Sequence, residues 1–176
     1  IFKAISFAFI FATLSNSLKS QSILWQKSIG GSSTDKISAA IIDNEGNILI
    51  AGTSGSDISE FKSEDNLGSL DFCIVKLDQD GNIIWENTIG GNAEDFACCV
   101  KQTLDGGYIV GGYSFSDNTF DKTSDAFGEQ DYWVVKLDYD GNVEWDKSFG
   151  GYDEDLLFDI EVTSDGGYIL MGESGS

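Results

Sequence analysis

WENTIGGNAED at residues 85–95 repeats WQKSIGGSSTD at residues 25–35 and returns as WDKSFGGYDED at residues 145–155. Trp25, Trp85 and Trp145 are thus 60 residues apart, as are Gly30-Gly31, Gly90-Gly91 and Gly150-Gly151, and Asp35, Asp95 and Asp155. Laying residues 25–84 over 85–144 needs no gap and gives 21 identities. A fixed period of this length marks a supersecondary unit that stacks on copies of itself.

Working outward from that stretch, each unit reads as four strands. In the first complete unit they are expected at Lys36–Asp43, Asn47–Thr53, Asp71–Asp78 and Asn82–Ile89. Acid-Gly pairs at Glu45-Gly46 and Asp80-Gly81, and later at Asp105-Gly106, Asp140-Gly141 and Asp165-Gly166, punctuate the apolar runs. Such pairs predict hairpins, because glycine supplies positive φ without a Cβ clash. The middle joint, Ser54 to Leu70, is long, polar and acidic. Runs such as Phe72-Cys73-Ile74-Val75 are apolar on both faces, as strands buried on both sides must be. A four-stranded sheet covered on both faces by its copies points to an all-β fold, a β-propeller of four-stranded antiparallel blades.

Trp25 to Ile29 aligns with the fourth strand of a unit, not the first. The expected organisation is a lone fourth strand at 21–31, blades at 32–91 and 92–151, and half a blade at 152–176. The chain begins with Ile and stops within a unit. It is therefore expected to be an incomplete N-terminal fragment of a ring, since rings hold about four to eight blades.

The recurring string runs Trp85-x-x-x-Ile89-Gly90-Gly91-x-x-x-Asp95, then Asp105-Gly106-Gly107-Tyr108-Ile109. It continues as Gly112-x-Ser114-x-Ser116-Asp117 and ends in Asp131-Tyr132-Trp133-Val134-Val135-Lys136-Leu137-Asp138. Over residues 21–176 it resembles the β-propeller repeats of secreted bacterial surface proteins, many of which carry a type IX secretion sorting domain. The first copy departs from the string, with Asn47-Ile48 for Gly-Tyr and Cys73 for Trp. The resemblance implies a propeller and export, and it brings no catalytic residues with it.

Residues 1–20 are unlike the rest. Lys3 precedes an apolar stretch from Ala4 to Leu14, followed by a polar run, and no acidic residue occurs before Asp35. This is the build of a secretory signal peptide, too short in its apolar part to span a bilayer. The expected location is secreted or at the outer cell surface, with no stable membrane span.

Thirty carboxylates face ten cations, all Lys, for a net charge of −20. Nucleic acid is excluded as a partner, because the field repels phosphates and no Arg is present to read them. No His is present, so imidazole-dependent nucleophilic or zinc chemistry has no residue here to carry it. Cys73, Cys98 and Cys99 give no disulfide framework and read as small buried apolar residues.

Residues that recur in every unit are read as scaffold. Asp35, Asp95 and Asp155 are expected to accept backbone N–H groups at a tight corner. Lys76 and Lys136, inside apolar strands, are expected to form partly buried ion pairs with a recurring Asp. The long loops offer the one candidate metal site. Asp57, Asp65 and Asp71 recur as Asp117, Asp125 and Asp131, together with Ser54, Ser56 and Gly68 as Ser114, Ser116 and Gly128, a hard-oxygen set that suits Ca²⁺. No other cofactor is expected. The functional expectation is a non-catalytic binding or adhesion scaffold for an extracellular protein or glycan. The alternative is a propeller enzyme of the quinone-dependent dehydrogenase or polysaccharide lyase type, with part of its site in other blades.

Overall fold

The computed structural model describes residues 2–6, 23–60 and 62–175. Among them every regular element is a strand, and no helix is long and apolar enough to cross a membrane. β1 (Phe2–Ser6) and β2 (Ile23–Ser28) pair in parallel. β3 (Asp35–Ile42), β4 (Ile48–Ser54), β5 (Asp71–Leu77) and β6 (Ile83–Ile89) form a four-stranded sheet in chain order. β7 (Asp95–Gln102), β8 (Tyr108–Ser114), β9 (Asp131–Leu137) and β10 (Val143–Phe149) form a second. β11 (Asp155–Val162) and β12 (Tyr168–Ser174) form a two-stranded third. All pairings within these three sheets are antiparallel. The predicted leader, residues 1–20, lies outside the described residues apart from β1. The parallel pairing of β1 sets it apart from the repeating units.

Strands β3, β4, β5 and β6 fall within a residue of their predicted ends, and the differences have a cause. Asp43, Asn47, Asp78 and Asn82 belong to the turns. Asp78 Oδ1 accepts from the N–H of Asp80 at 2.9 Å and of Asn82 at 2.8 Å, and Asp43 Oδ1 does the same for Glu45 and Asn47. These are Asp side chains mimicking a backbone turn. The glycine that closes each hairpin has φ between 84° and 90°, as at Gly81 and Gly141, which is where a three-residue loop needs it.

Gly52, Gly112 and Gly172 recur for a different reason. Opposite each one the first strand of the unit carries a bulge, between Ile37 and Ala39, Ala97 and Cys99, and Leu157 and Asp159. The bulge throws a carbonyl at the glycine, so a Cβ at Gly112 would lie 1.9 Å from Phe96 O. Only a residue without Cβ fits against a bulge this close.

The core lies between the sheets. Leu49, Phe72 and Ile89 of the first unit meet Tyr108, Trp133 and Val135 of the second, and the Phe72 and Trp133 rings sit 4.8 Å apart. The same kind of layer joins β2 to the first unit through Ile29, Ile50 and Val75. A third joins the second unit to β11 through Ile109, Val134 and Leu157. Each four-stranded sheet is thus flanked on both sides, which is why its inner strands β4, β5, β8 and β9 are buried on both faces.

Candidate functional site

Among the described residues, the two connections between second and third strands, within 55–70 and 115–130, are the longest irregular segments, and each is pinned at a corner built from recurring residues. Asp95 Oδ2 accepts the N–H of Gly91 at 2.8 Å and the hydroxyl of Ser116 at 3.0 Å. Asp35 does the same for Gly31 at 2.9 Å and Ser56 at 3.0 Å, and Asp155 accepts from Gly151 at 2.7 Å. The Ser116 hydroxyl in turn accepts from Ala93 N at 2.9 Å. The predicted corner role of these Asp residues is what their geometry provides.

A second carboxyl enters the same corner from the third strand. Asp71 Oδ2 accepts from Leu67 N at 2.6 Å and Gly68 N at 3.2 Å, and Asp131 Oδ2 from Phe127 N at 2.7 Å. Their Oδ1 atoms are buried with no hydrogen-bond partner. They press instead on the Gly-Gly pair. A Cβ at Gly150 would lie 2.1 Å from Asp131 Oδ1 and 2.7 Å from Asp155 Oδ2, so this glycine is held between carboxyls of two successive units. Burial pushes the Asp71 carboxyl up to about 6, against its backbone donors, and the charge of Asp95 adds to the effect.

Each loop also encloses a lysine. Lys62 and Lys122 are 2% and 1% exposed. Lys122 Nζ donates to Ser116 O at 2.9 Å and Ser124 O at 3.2 Å, and Lys62 Nζ to Glu64 O at 2.8 Å. Burial lowers the Lys122 pKa, against the charges of Asp95, Asp131, Asp146 and Asp117. The Lys122 ammonium is thus held by loop carbonyls in the field of these carboxylates. The loop then folds back on the fourth strand, where Asp146 accepts from Thr123 N and Ser124 N, each at 3.1 Å, and from Trp133 Nε1 at 2.9 Å.

The six calcium candidates divide. Asp57, Asp65, Asp117 and Asp125 are exposed in the loops, whereas Asp71 and Asp131 are buried at the corner. Asp65 Oδ1 accepts from Ile58 N at 3.1 Å, and Asp125 Oδ1 from the side chain of Asn118 at 3.2 Å. No three Asp, Glu, Cys or His side chains among the described residues group as metal ligands would.

No protein-family model and no curated protein matches this chain.

The strand lysines are ion-paired, but not with the corner aspartates. Lys76 Nζ lies 3.6 Å from Asp43 Oδ2 and 3.3 Å from the centre of the Tyr139 ring. Lys136 Nζ lies 3.1 Å from Asp105 Oδ2 and 2.8 Å from Glu144 Oε2. Register explains the difference. Asp35, Ser54 and Asp71 share one row at the loop end of the sheet, while Lys76 lies on the row of Leu49 and Trp85 near the other end. Cys73 and Cys99 are pushed up to about 12 by burial, so neither thiol is poised as a nucleophile.

Sequence reasoning overlooked Lys62 and Lys122. Their signal was present, since they match across the 60-residue step, but a lysine in a polar acidic loop reads as a solvated charge.

Proposed function

We propose that this chain is part of a secreted or cell-surface β-propeller that acts as a non-catalytic binding scaffold, presenting its long loops to an extracellular protein or glycan. One observation carries the reading. The contacts that pin the loops recur from unit to unit, as do the exposed Asp57/Asp117 and Asp65/Asp125, whereas the exposed apolar side chains do not. Phe115, Phe120 and Phe127 are exposed in the second loop, at positions held in the first by Gly55, Glu60 and Leu67. Phe120 even takes φ of 52°, a conformation L-residues rarely adopt. Exposed aromatics that the repeat does not require, on a rigid frame, are the marks of a recognition surface. The radial arrangement is supported by sheet-on-sheet cores of the same make on both sides of each complete unit. Export is supported by the character of residues 1–20.

The test is a binding screen of the chain against immobilised extracellular glycans and proteins, beside a variant with Phe115, Phe120 and Phe127 all changed to Ser. The expected result is a partner retained by the parent and lost by the variant at unchanged melting temperature. A partner bound equally by both would sink the assignment of the loop. N-terminal sequencing of exported material should find the chain beginning near Leu18 or Gln21. Intact residues 1–20 on a cytoplasmic product would refute export.

A further inference from the structure

We infer that Phe96, Tyr113 and Phe115, with the carboxylate of Glu94 beside them, form a site for the cationic side chain of a basic polypeptide, a lysine or arginine laid on the rings. This rests on the binding-scaffold reading above and names the chemistry of the partner. The repeat itself marks the three rings. Phe96 corresponds to Lys36 in the first unit and Leu156 in the third, Tyr113 to Thr53 and Glu173, and Phe115 to Gly55 and Gly175. The other units form without an aromatic at any of these places, yet the second carries one at all three.

Strand pairing brings them together. Phe96 stands opposite Tyr113 in the β7–β8 ladder, and Phe115 follows β8 with its N–H donated to Glu94 O at 2.9 Å. The Phe96 and Tyr113 rings stack with centres 5.0 Å apart and planes at 25°. Phe115 meets Phe96 at 69°, with centres 6.4 Å apart. Phe115 is 41% exposed, and Phe96 and Tyr113 are half-buried, so the three rings make a corner that reaches solvent at the base of the long loop.

The occupant follows from charge. An aromatic face attracts a cation through its quadrupole, the more so where water is partly excluded. Glu94 is exposed, and after burial and Cys98 it is what raises the Tyr113 pKa, so its negative charge is felt at the rings. Thirty carboxylates against ten lysines give the surface a field that draws cations in. An acidic glycan is turned away by the same field, and a neutral one gains nothing from it. The chain shows the mode within itself. Lys76 Nζ lies 3.3 Å from the centre of the Tyr139 ring and 5.3 Å from that of Tyr108, with Asp43 Oδ2 at 3.6 Å. That is an ammonium held by aromatic rings and a carboxylate. Phe96, Tyr113 and Phe115 with Glu94 offer the same combination, and among the described residues no lysine lies over them.

The probe is a short labelled peptide of alternating glycine and lysine, added to the whole chain near physiological ionic strength, where loose surface attraction is screened. Phe96→Leu and Tyr113→Thr, each installing the residue another unit uses, should weaken binding at least about fivefold apiece with the cooperative melt retained. Glu94→Gln should do the same, and acetylating the lysines of the peptide should abolish binding. Phe120→Ser together with Phe127→Ser should leave it unchanged. No binding at ~1 mM peptide, or binding that both ring substitutions leave intact, would overturn the inference, the second by tracing it to the bulk charge. So would a neutral glycan that the parent retains and Phe96→Leu loses while the peptide is not bound. A partner lost with the loop phenylalanines but indifferent to Phe96→Leu and Tyr113→Thr would overturn this site and leave the scaffold reading standing.

Discussion

Asp71 starts β5 with its carboxyl fully buried beside Asp95, and its raised pKa has a consequence for stability. The folded value, about 6, exceeds the ordinary 3.8, so the fold favours the protonated form. That contribution is complete below the unfolded value and is lost as pH rises through about 6, to the extent of about 3 kcal/mol. Asp71→Asn keeps an acceptor for Leu67 and Gly68 and cannot ionise. It should be more stable than the parent at about pH 7.5 by roughly that amount, with the difference vanishing near pH 4. Urea midpoints across that range check this, and a difference independent of pH would show that Asp71 does not titrate there. Lys122 gives a second prediction at this scale. Lys122→Met leaves Ser116 O and Ser124 O without a donor and removes the cation facing four carboxylates, at a cost of about 3 kcal/mol. Melting curves with millimolar Ca²⁺ and then with chelator test the loop carboxylates as calcium ligands: a clear upward shift with the ion is expected if they bind it, and no shift would leave the loops as solvated connectors.

At the scale of elements, the units are joined through the outer hairpin. Gly141→Val should cost about 3 kcal/mol or more, because it adds a branched Cβ at φ of 90° and drives it into the Trp85 ring. Gly106 also has φ of 90°, but a Cβ there would meet nothing within 4 Å. Gly106→Ala therefore isolates the backbone strain, and the gap between the two variants in chemical denaturation measures the lock. Equal losses would mean that the Trp–Gly contact contributes nothing. The hairpins themselves were legible in the sequence, because acid-Gly between apolar runs has one local solution. The reason for Gly52, Gly112 and Gly172 was not legible. It depends on a bulge in the partner strand, and a bulge leaves no mark in the residue it displaces: Ser38, Cys98 and Phe158 share no property.

At the scale of the whole molecule, Phe149 on β10 is 44% exposed and no described strand lies on the outer side of β12, so these 176 residues by themselves are expected to associate. Size-exclusion chromatography of the chain alone should show concentration-dependent oligomers, diminished by Trp145→Ser together with Phe149→Ser. A monomer at all concentrations would mean that the net charge of −20 keeps copies apart despite the exposed face.

The sequence by itself determined the period, the four strands of each unit, the turn chemistry and the corner role of Asp35, Asp95 and Asp155. These are local rules or spacings, and a 60-residue repeat displays them several times over. Tertiary structure decided which charges meet. Lys76 reaches Asp43, and Lys136 reaches Asp105 and Glu144, because strand register places them at the end of the sheet away from the corner. It also placed Asp71 beside Asp95 across a unit boundary and wrapped the loop carbonyls around Lys122. Pairings between residues distant in sequence follow from how sheets stack, and spacing along the chain does not encode that stacking one residue at a time.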